Sequence, residues 1–360
     1  MRKLLLPLAS LIILAMLLSA CGTPATSDEP AVIEVTAPGY GEVLARVKER
    51  GRVVCAGRTD LLGFGYLDDD GGNIGFDIDL CRAVAAAVLG DPEAIEIVPV
   101  TAAERGPVIQ TGEVDILSRN VTWTSSRDSQ WGNFTITMFY DGQGYMVRAD
   151  SGITSQDDMD GASVCVTSGT TTEKNLAADF RERGLEFEAV IFEDTSSVYN
   201  AFFEGRCDVT TSDRSQLAAI QAGADNPGDY VILPMIISKE PLTPVVSHGD
   251  DQWFDIVKLV MYALINAENP AYGPITQATV DDILASDNIK GKTVLGTEGD
   301  WGYSSLGLDA DALANALRAV GNYGEIYNRY MGPEGIAFTL PRGLNEHWTN
   351  GGLIYAPPIK

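Results

Sequence analysis

The sequence predicts a two-lobed α/β protein whose lobes are joined by two strands. Three observations carry this reading. Short β-rich runs alternate with amphipathic helical runs, the alternation occurs in two successive sets, and an extended stretch follows each set. Alternation of this kind builds βαβ units on a mainly parallel sheet, so two sets make two sheets.

Order is expected to begin near Glu42. The first set has strands at 52–57, 95–100 and 114–117, with helices at about 77–89 and 104–111 between them. The second has strands at 163–166, 187–192 and 208–211, with helices near 171–183 and 196–204. Residues 139–147 lie between the sets and residues 243–247 follow the second, so both are read as strands crossing from lobe to lobe. A long helix at about 251–267 then returns to the first lobe, and the segments 308–330 and 340–360 are expected to pack there. The first lobe is thus 42–142 with 244–360, and the second is 143–243.

Ahead of the lobes, Arg2 and Lys3 precede a greasy run that ends in Leu18-Ser19-Ala20-Cys21. This reads as a lipoprotein export signal at 1–20, with lipid carried on Cys21. The run is about fifteen residues, short of the roughly twenty that span a bilayer. Residues 21–41 are rich in Thr, Pro, Ala and acid, and read as a flexible tether. The expected location is outside the cytoplasm, with the lipid as the one membrane contact.

Loss of residues 1–20 removes two positive charges and takes the net charge from -25 to about -27. So acidic a chain is not expected to bind nucleic acid, whose phosphates attract basic patches. Four cysteines remain after Cys21, an even number in a compartment that permits disulfides. Cys55 with Cys81 and Cys165 with Cys207 are the expected pairs, because each joins a strand to a nearby element of its own lobe; four buried thiols are the alternative. No CxxC spacing occurs and only His248 and His347 are present, so neither a metal nor a cofactor nor histidine-based catalysis is expected.

Two lobes on two strands make a hinged cleft, and ligands of open α/β sheets bind beyond the carboxyl ends of the strands. The residues at those ends are Arg58, the segment 118–122, the segment 168–172, and Ser212-Asp213. Gly169-Thr170-Thr171-Thr172-Glu173 reads as a glycine turn opening a helix, with the Thr170 to Glu173 spacing of a capping box. Its N–H groups form an anion site, although a plain helix cap fits the same residues. Arg127 can grip a carboxylate with two nitrogens, and Asp213 can pair with an ammonium. Together these are the needs of an α-amino acid zwitterion.

Residues 75–92, which open Gly75-Phe76-Asp77-Ile78-Asp79, resemble the general L-amino-acid-binding proteins of polar amino acid ABC transporters. So do 117–127, Tyr140-Asp141-Gly142-Gln143-Gly144, 236–242, Gly321-Asn322-Tyr323-Gly324-Glu325-Ile326 and 351–358; the resemblance covers about 42–360. It implies a type II periplasmic-binding-protein fold that closes on its ligand and is recognised by a membrane permease. It further implies that Arg127 grips the α-carboxylate with main-chain N–H groups of Thr122 and Thr171, and that Asp213 holds the α-ammonium with the Asn120 carbonyl and the Thr122 hydroxyl.

At Arg58 the sequence departs from general binders, which more often carry a small polar residue there. Glutamate/aspartate-binding proteins carry Arg at the places of both Arg58 and Arg105, so an acidic side chain is expected to be preferred, then an amide. Arg58 facing Asp60 or Asp68 as a surface cation is the alternative. Leu61 stands where basic-amino-acid binders stack an aromatic ring, which disfavours lysine and arginine as ligands. Arg119 either points into the pocket or pairs with a neighbouring carboxylate. The expected molecule is a monomer and not an enzyme. Two other classes share the fold: cyclohexadienyl dehydratases, which need a general acid aimed at a leaving hydroxyl, and sensor lipoproteins that bind an amino acid without transport.

Overall fold

The computed structural model describes residues 39–273, 275–299 and 301–359. The signal segment, Cys21 and the tether up to residue 38 lie outside the described residues. In chain order the first part contains α1 (Glu42–Arg50), β1 (Val53–Gly57), β2 (Asp60–Leu61), β3 (Gly65–Leu67), β4 (Asn73–Ile74), α2 (Phe76–Leu89), β5 (Ile95–Pro99) and α3 (Arg105–Gln110). Then come β6 (Ile116–Leu117), α4 (Ser125–Gln130), β7 (Asn133–Phe134) and β8 (Phe139–Asp141). The second part contains β9 (Gln143–Arg148), β10 (Ala162–Thr167), α5 (Thr171–Arg183), β11 (Phe187–Phe192), α6 (Thr195–Phe203), β12 (Val209–Asp213), α7 (Arg214–Ala222) and β13 (Tyr230–Ile232). The chain returns through β14 (Glu240–Leu242) and β15 (Val245–Val246) to α8 (Asp251–Glu268), α9 (Val280–Ala285), α10 (Ile289–Val294), α11 (Ala312–Val320) and α12 (Tyr323–Met331).

The predicted strands and helices of both sets appear within two residues of their expected bounds, the usual uncertainty of an element end. They form two five-stranded sheets, ordered β5-β1-β6-β15-β7 and β11-β10-β12-β9-β13. Each sheet has three parallel strands and an antiparallel fourth. In both, that fourth strand is the one that has just crossed from the other lobe. The three-stranded β2-β3-β4 sheet carried no expectation, since strands of two or three residues are too short to show alternation.

The crossing differs from expectation in detail. Residues 139–147 are two strands, β8 and β9, and β8 pairs with β14 rather than with 243–247. The register sets Asp141 opposite Glu240 and Tyr140 opposite Pro241. A proline inside a run argues against a central strand, which hides β14 in the sequence. Here Pro241 is tolerated because β14 has only one partner strand.

The root of β8 is set in the larger core. Phe139 stacks on Tyr327 of α12 with ring centroids 5.8 Å apart, and Phe76 meets Phe139 edge-on at 6.0 Å. The Asn345 side chain brackets Tyr140, its Oδ1 accepting the backbone N–H at 2.6 Å and its Nδ2 donating to the carbonyl at 3.1 Å. Helix α8 returns to this lobe as expected, where the Trp253 indole donates to the Asp115 carbonyl at 2.9 Å. Both predicted disulfides are present, Cys55–Cys81 and Cys165–Cys207, with Cα atoms 6.5 and 5.7 Å apart. Among the described residues no helix is long and apolar enough to cross a membrane.

Candidate functional site

The carboxyl ends of β1, β6, β10 and β12 face one another across the two sheets and line a common cavity. Of the residues singled out from sequence, Arg58, Arg105, Arg119, Asn120, Thr122, Thr170, Thr171 and Asp213 line it. Two do not. Arg127 lines an adjoining cavity, which shares Ala102 and Thr171 with the first. Leu61 is fully buried in the large core and does not line the cavity.

Three guanidiniums converge here with little water to screen them. Arg58 is 2% exposed; its Nε donates to Asp60 at 2.8 Å, and its Nη1 to Gln216 at 3.0 Å and to Asn120 Oδ1 at 3.3 Å. The expected alternative of a pairing with Asp60 is therefore present, but on a buried side chain. Arg58 Nη2 is buried without a partner. Arg105 donates through Nε to the Ala102 carbonyl at 3.0 Å and through Nη2 to the Gly169 carbonyl of the second lobe at 3.5 Å. Arg119 donates to the Val100 carbonyl at 2.7 Å rather than to a carboxylate.

Burial first, and Arg119 and Arg127 next, hold Arg105 well below the usual guanidinium range. Burial and then Arg58 lower Arg119 to about 9. A desolvated cation is destabilised unless a counter-charge arrives, so this corner of the cavity attracts anions.

Asp213 is the opposite case. It ends β12 at 6% exposure, and among the described residues no hydrogen-bond donor reaches its carboxylate. Burial, then the negative charges of Asp141 and Glu240, push its carboxyl well above the ordinary range, against the pull of Arg105 and Arg127. A cation beside it would restore its charge.

Arg127 sits in α4, where Thr124 caps the helix by accepting the Arg127 N–H. Its Nη1 donates to the Thr122 carbonyl at 3.0 Å and its head lies over Trp131, 4.7 Å from the ring centroid. The helix that follows β10 starts as predicted at Thr170, whose hydroxyl accepts the Glu173 N–H at 3.1 Å. The capping box is displaced by one residue, since the Glu173 carboxylate takes the Gly169 N–H at 3.0 Å.

Sequence reasoning missed Gln216, Thr195 and Tyr199. Gln216 and Thr195 line the cavity, and Tyr199 accepts from Gln216 Nε2 at 2.9 Å. Gln216 follows Asp213 by three residues on α7, a spacing that places it one turn along the helix that Asp213 opens; that was the available signal. Among the described residues no group of three or more His, Cys, Asp or Glu could hold a metal ion.

Residues 53–333 match the bacterial extracellular solute-binding proteins, family 3. The chain belongs to this family. It is 48% identical over 319 residues to the general L-amino acid-binding periplasmic protein AapJ of Rhizobium johnstonii, covering 88% of this chain and 92% of that one. It is 45% identical to the glutamate/glutamine/aspartate/asparagine-binding protein BztA of Rhodobacter capsulatus, covering 91% and 96%. Among solved structures, an ABC transporter/periplasmic binding protein from Brucella ovis with glutathione bound superposes with a TM-score of 0.84 at 44% identity, covering 89% of this chain and all of that one.

Proposed function

We propose that this chain is the extracytoplasmic solute-binding subunit of an amino acid ABC transporter and not an enzyme. It captures a free L-amino acid between a first lobe of 42–142 with 244–360 and a second lobe of 143–243, then presents it to a membrane permease. It works as a monomer tethered by lipid on Cys21. The observation that carries the reading is the pairing of opposite unmet needs in one cavity: a buried Asp213 carboxylate that no donor among the described residues reaches, and a buried Arg58 Nη2 without an acceptor. Asp213 takes the α-ammonium with the help of Asn120 and Thr122, and Arg127 with the first turn of α5 takes the α-carboxylate.

A zwitterion is neutral, whereas three arginines and one aspartate line the cavity. The surplus positive charge favours a ligand with a second carboxylate, so glutamate or aspartate binds best and the amides next. The relative named for glutamate, glutamine, aspartate and asparagine supports this range, whereas the one named for general L-amino acids fits a broader one.

The test is the thermal shift given by each of the twenty amino acids and by glutathione at equal concentration, since ligand stabilisation follows RT ln(1 + [L]/Kd). Glutamate or aspartate should shift the melt furthest, with aliphatic and basic amino acids about tenfold or more weaker because they leave a buried guanidinium unpaired. Leucine or arginine matching glutamate would sink the preference, and no shift from any amino acid would sink the function. Arg127→Ala and Asp213→Ala should each weaken binding by about 2–5 kcal/mol, since each strands a buried charge on the ligand.

A further inference from the structure

We infer that Gln216 is a specificity-determining residue, which sets the charge preference of the cleft by occupying one donor of Arg58 from across the lobes. The inference rests on the amino acid reading proposed above.

Gln216 lies on α7 of the second lobe and is 6% exposed. Its Oε1 accepts from Arg58 Nη1 at 3.0 Å and from Asn120 Nδ2 at 3.3 Å. Both donors belong to the first lobe, at the ends of β1 and β6. The orientation of the amide follows from its neighbours: an arginine and an amide NH₂ can only donate, so the oxygen faces them, and Nε2 is left to donate to the Tyr199 hydroxyl at 2.9 Å. Gln216 therefore ties the lobes together through two residues that line the cavity itself.

The consequence for the ligand is a division of the Arg58 guanidinium. Asp60 takes Nε, Gln216 and Asn120 share Nη1, and only Nη2 is left for a solute. Because an amide carries no charge, the carboxylate paired directly with Arg58 is that of Asp60, whose side chain is 36% exposed and thus screened by water. The remaining positive field reaches into the cavity and selects a carboxylate over an amide. A carboxylate at 216, with the same shape and the same two donors before it, would neutralise Arg58 on its cavity side. A methyl group there would free the Nη1 hydrogen that Gln216 takes, leaving the other on Asn120, and give an acidic ligand a second donor.

The experiment is isothermal titration of the full chain and of its Gln216→Glu and Gln216→Ala variants with L-glutamate and with L-glutamine. The glutamate-over-glutamine affinity ratio should fall about tenfold or more in Gln216→Glu, because a like charge then faces the incoming carboxylate. In Gln216→Ala the ratio should rise about threefold or more although both affinities drop, because the cross-lobe bonds are gone while the second Arg58 donor is free. A residue that only packed would move both ligands together, so ratios within about threefold of the parent's in Gln216→Glu overturn the inference. If Gln216→Glu does not fold, Gln216→Ala decides on the same criterion. A parent that binds neither amino acid overturns the reading beneath the inference, and the inference with it.

Discussion

Asp77 and Asn120 show how a single buried contact shapes the cleft. Asn120 is the one non-glycine among the described residues with positive φ, at 36°, a strain of about 1–3 kcal/mol that surrounding structure must hold in place. The Asp77 carboxylate does so by accepting the Asn120 N–H at 2.7 Å. Burial raises the Asp77 carboxyl to about 6, against the pull of the Asn120 N–H and of Arg58 and Arg119. A folded-state value above the unfolded 3.8 means that the folded chain holds the proton more tightly between about 4 and 6. The stability from this group is thus greatest at low pH and is lost as pH rises through 6. Urea unfolding at pH 4, 5.5 and 7 should show the parent losing on the order of 2 kcal/mol relative to Asp77→Asn as pH rises; a difference that stays flat would refute it. At this scale the sequence was legible wherever a residue follows a strand, which is why Arg58, Asn120, Thr122 and Asp213 could be named. Gln216 and Tyr199 could not, because polar and aromatic residues on helices read as ordinary helix faces until α7 is brought opposite the end of β1.

At the scale of elements, the two crossing strands do more than connect. Glu240 of β14 accepts from Thr171 Oγ1 at 2.9 Å and from Asn175 Nδ2 at 2.8 Å, both on α5. Asp141 of β8 accepts the Ser215 N–H that opens α7, at 3.2 Å. Each hinge carboxylate thus sits at the start of a cavity-lining helix, where the helix dipole favours negative charge. The chain order of these helices was readable from periodicity, but their grip on the hinge was not, since it joins residues 65 or more apart. The disulfides are placed on the same plan, one from β1 to α2 and one from β10 to the entry of β12. Loops of 26 and 42 residues give about 3.5 and about 4 kcal/mol in the chain-entropy model. Replacing either pair by serines should lower unfolding stability by up to these amounts while ligand affinity changes little, since neither pair lines the cavity. Peptide mapping without reduction that finds four alkylatable thiols would overturn the role.

The binding proposed above requires the lobes to approach, and they also come close outside the cavity. A Cβ placed on Gly223, at the end of α7, would lie 3.3 Å from Leu62 Cδ1 of the first lobe, and one on Gly169 would lie 3.4 Å from the Ala103 Cα. Gly169 has φ +70° and is conformationally bound to be glycine. Gly223 has φ -84°, which any residue adopts; a Cβ there meets Leu62 of the opposite lobe most tightly and the Ala219 and Ile220 carbonyls of its own helix at ordinary contact distance. Gly223→Trp should therefore act as a wedge that leaves each lobe intact and hinders their closure. The expected outcome is glutamate affinity reduced about tenfold or more, equivalent to about 1.4 kcal/mol, with the melting temperature of the ligand-free protein kept at the parent's value. Small-angle scattering should give a larger radius of gyration for the glutamate-saturated variant than for the saturated parent. An unchanged affinity would mean that the Leu62 contact lies outside the closing motion, and that the lobes meet on binding through the cavity-lining contacts, the Arg58–Gln216, Asn120–Gln216 and Arg105–Gly169 bonds among them.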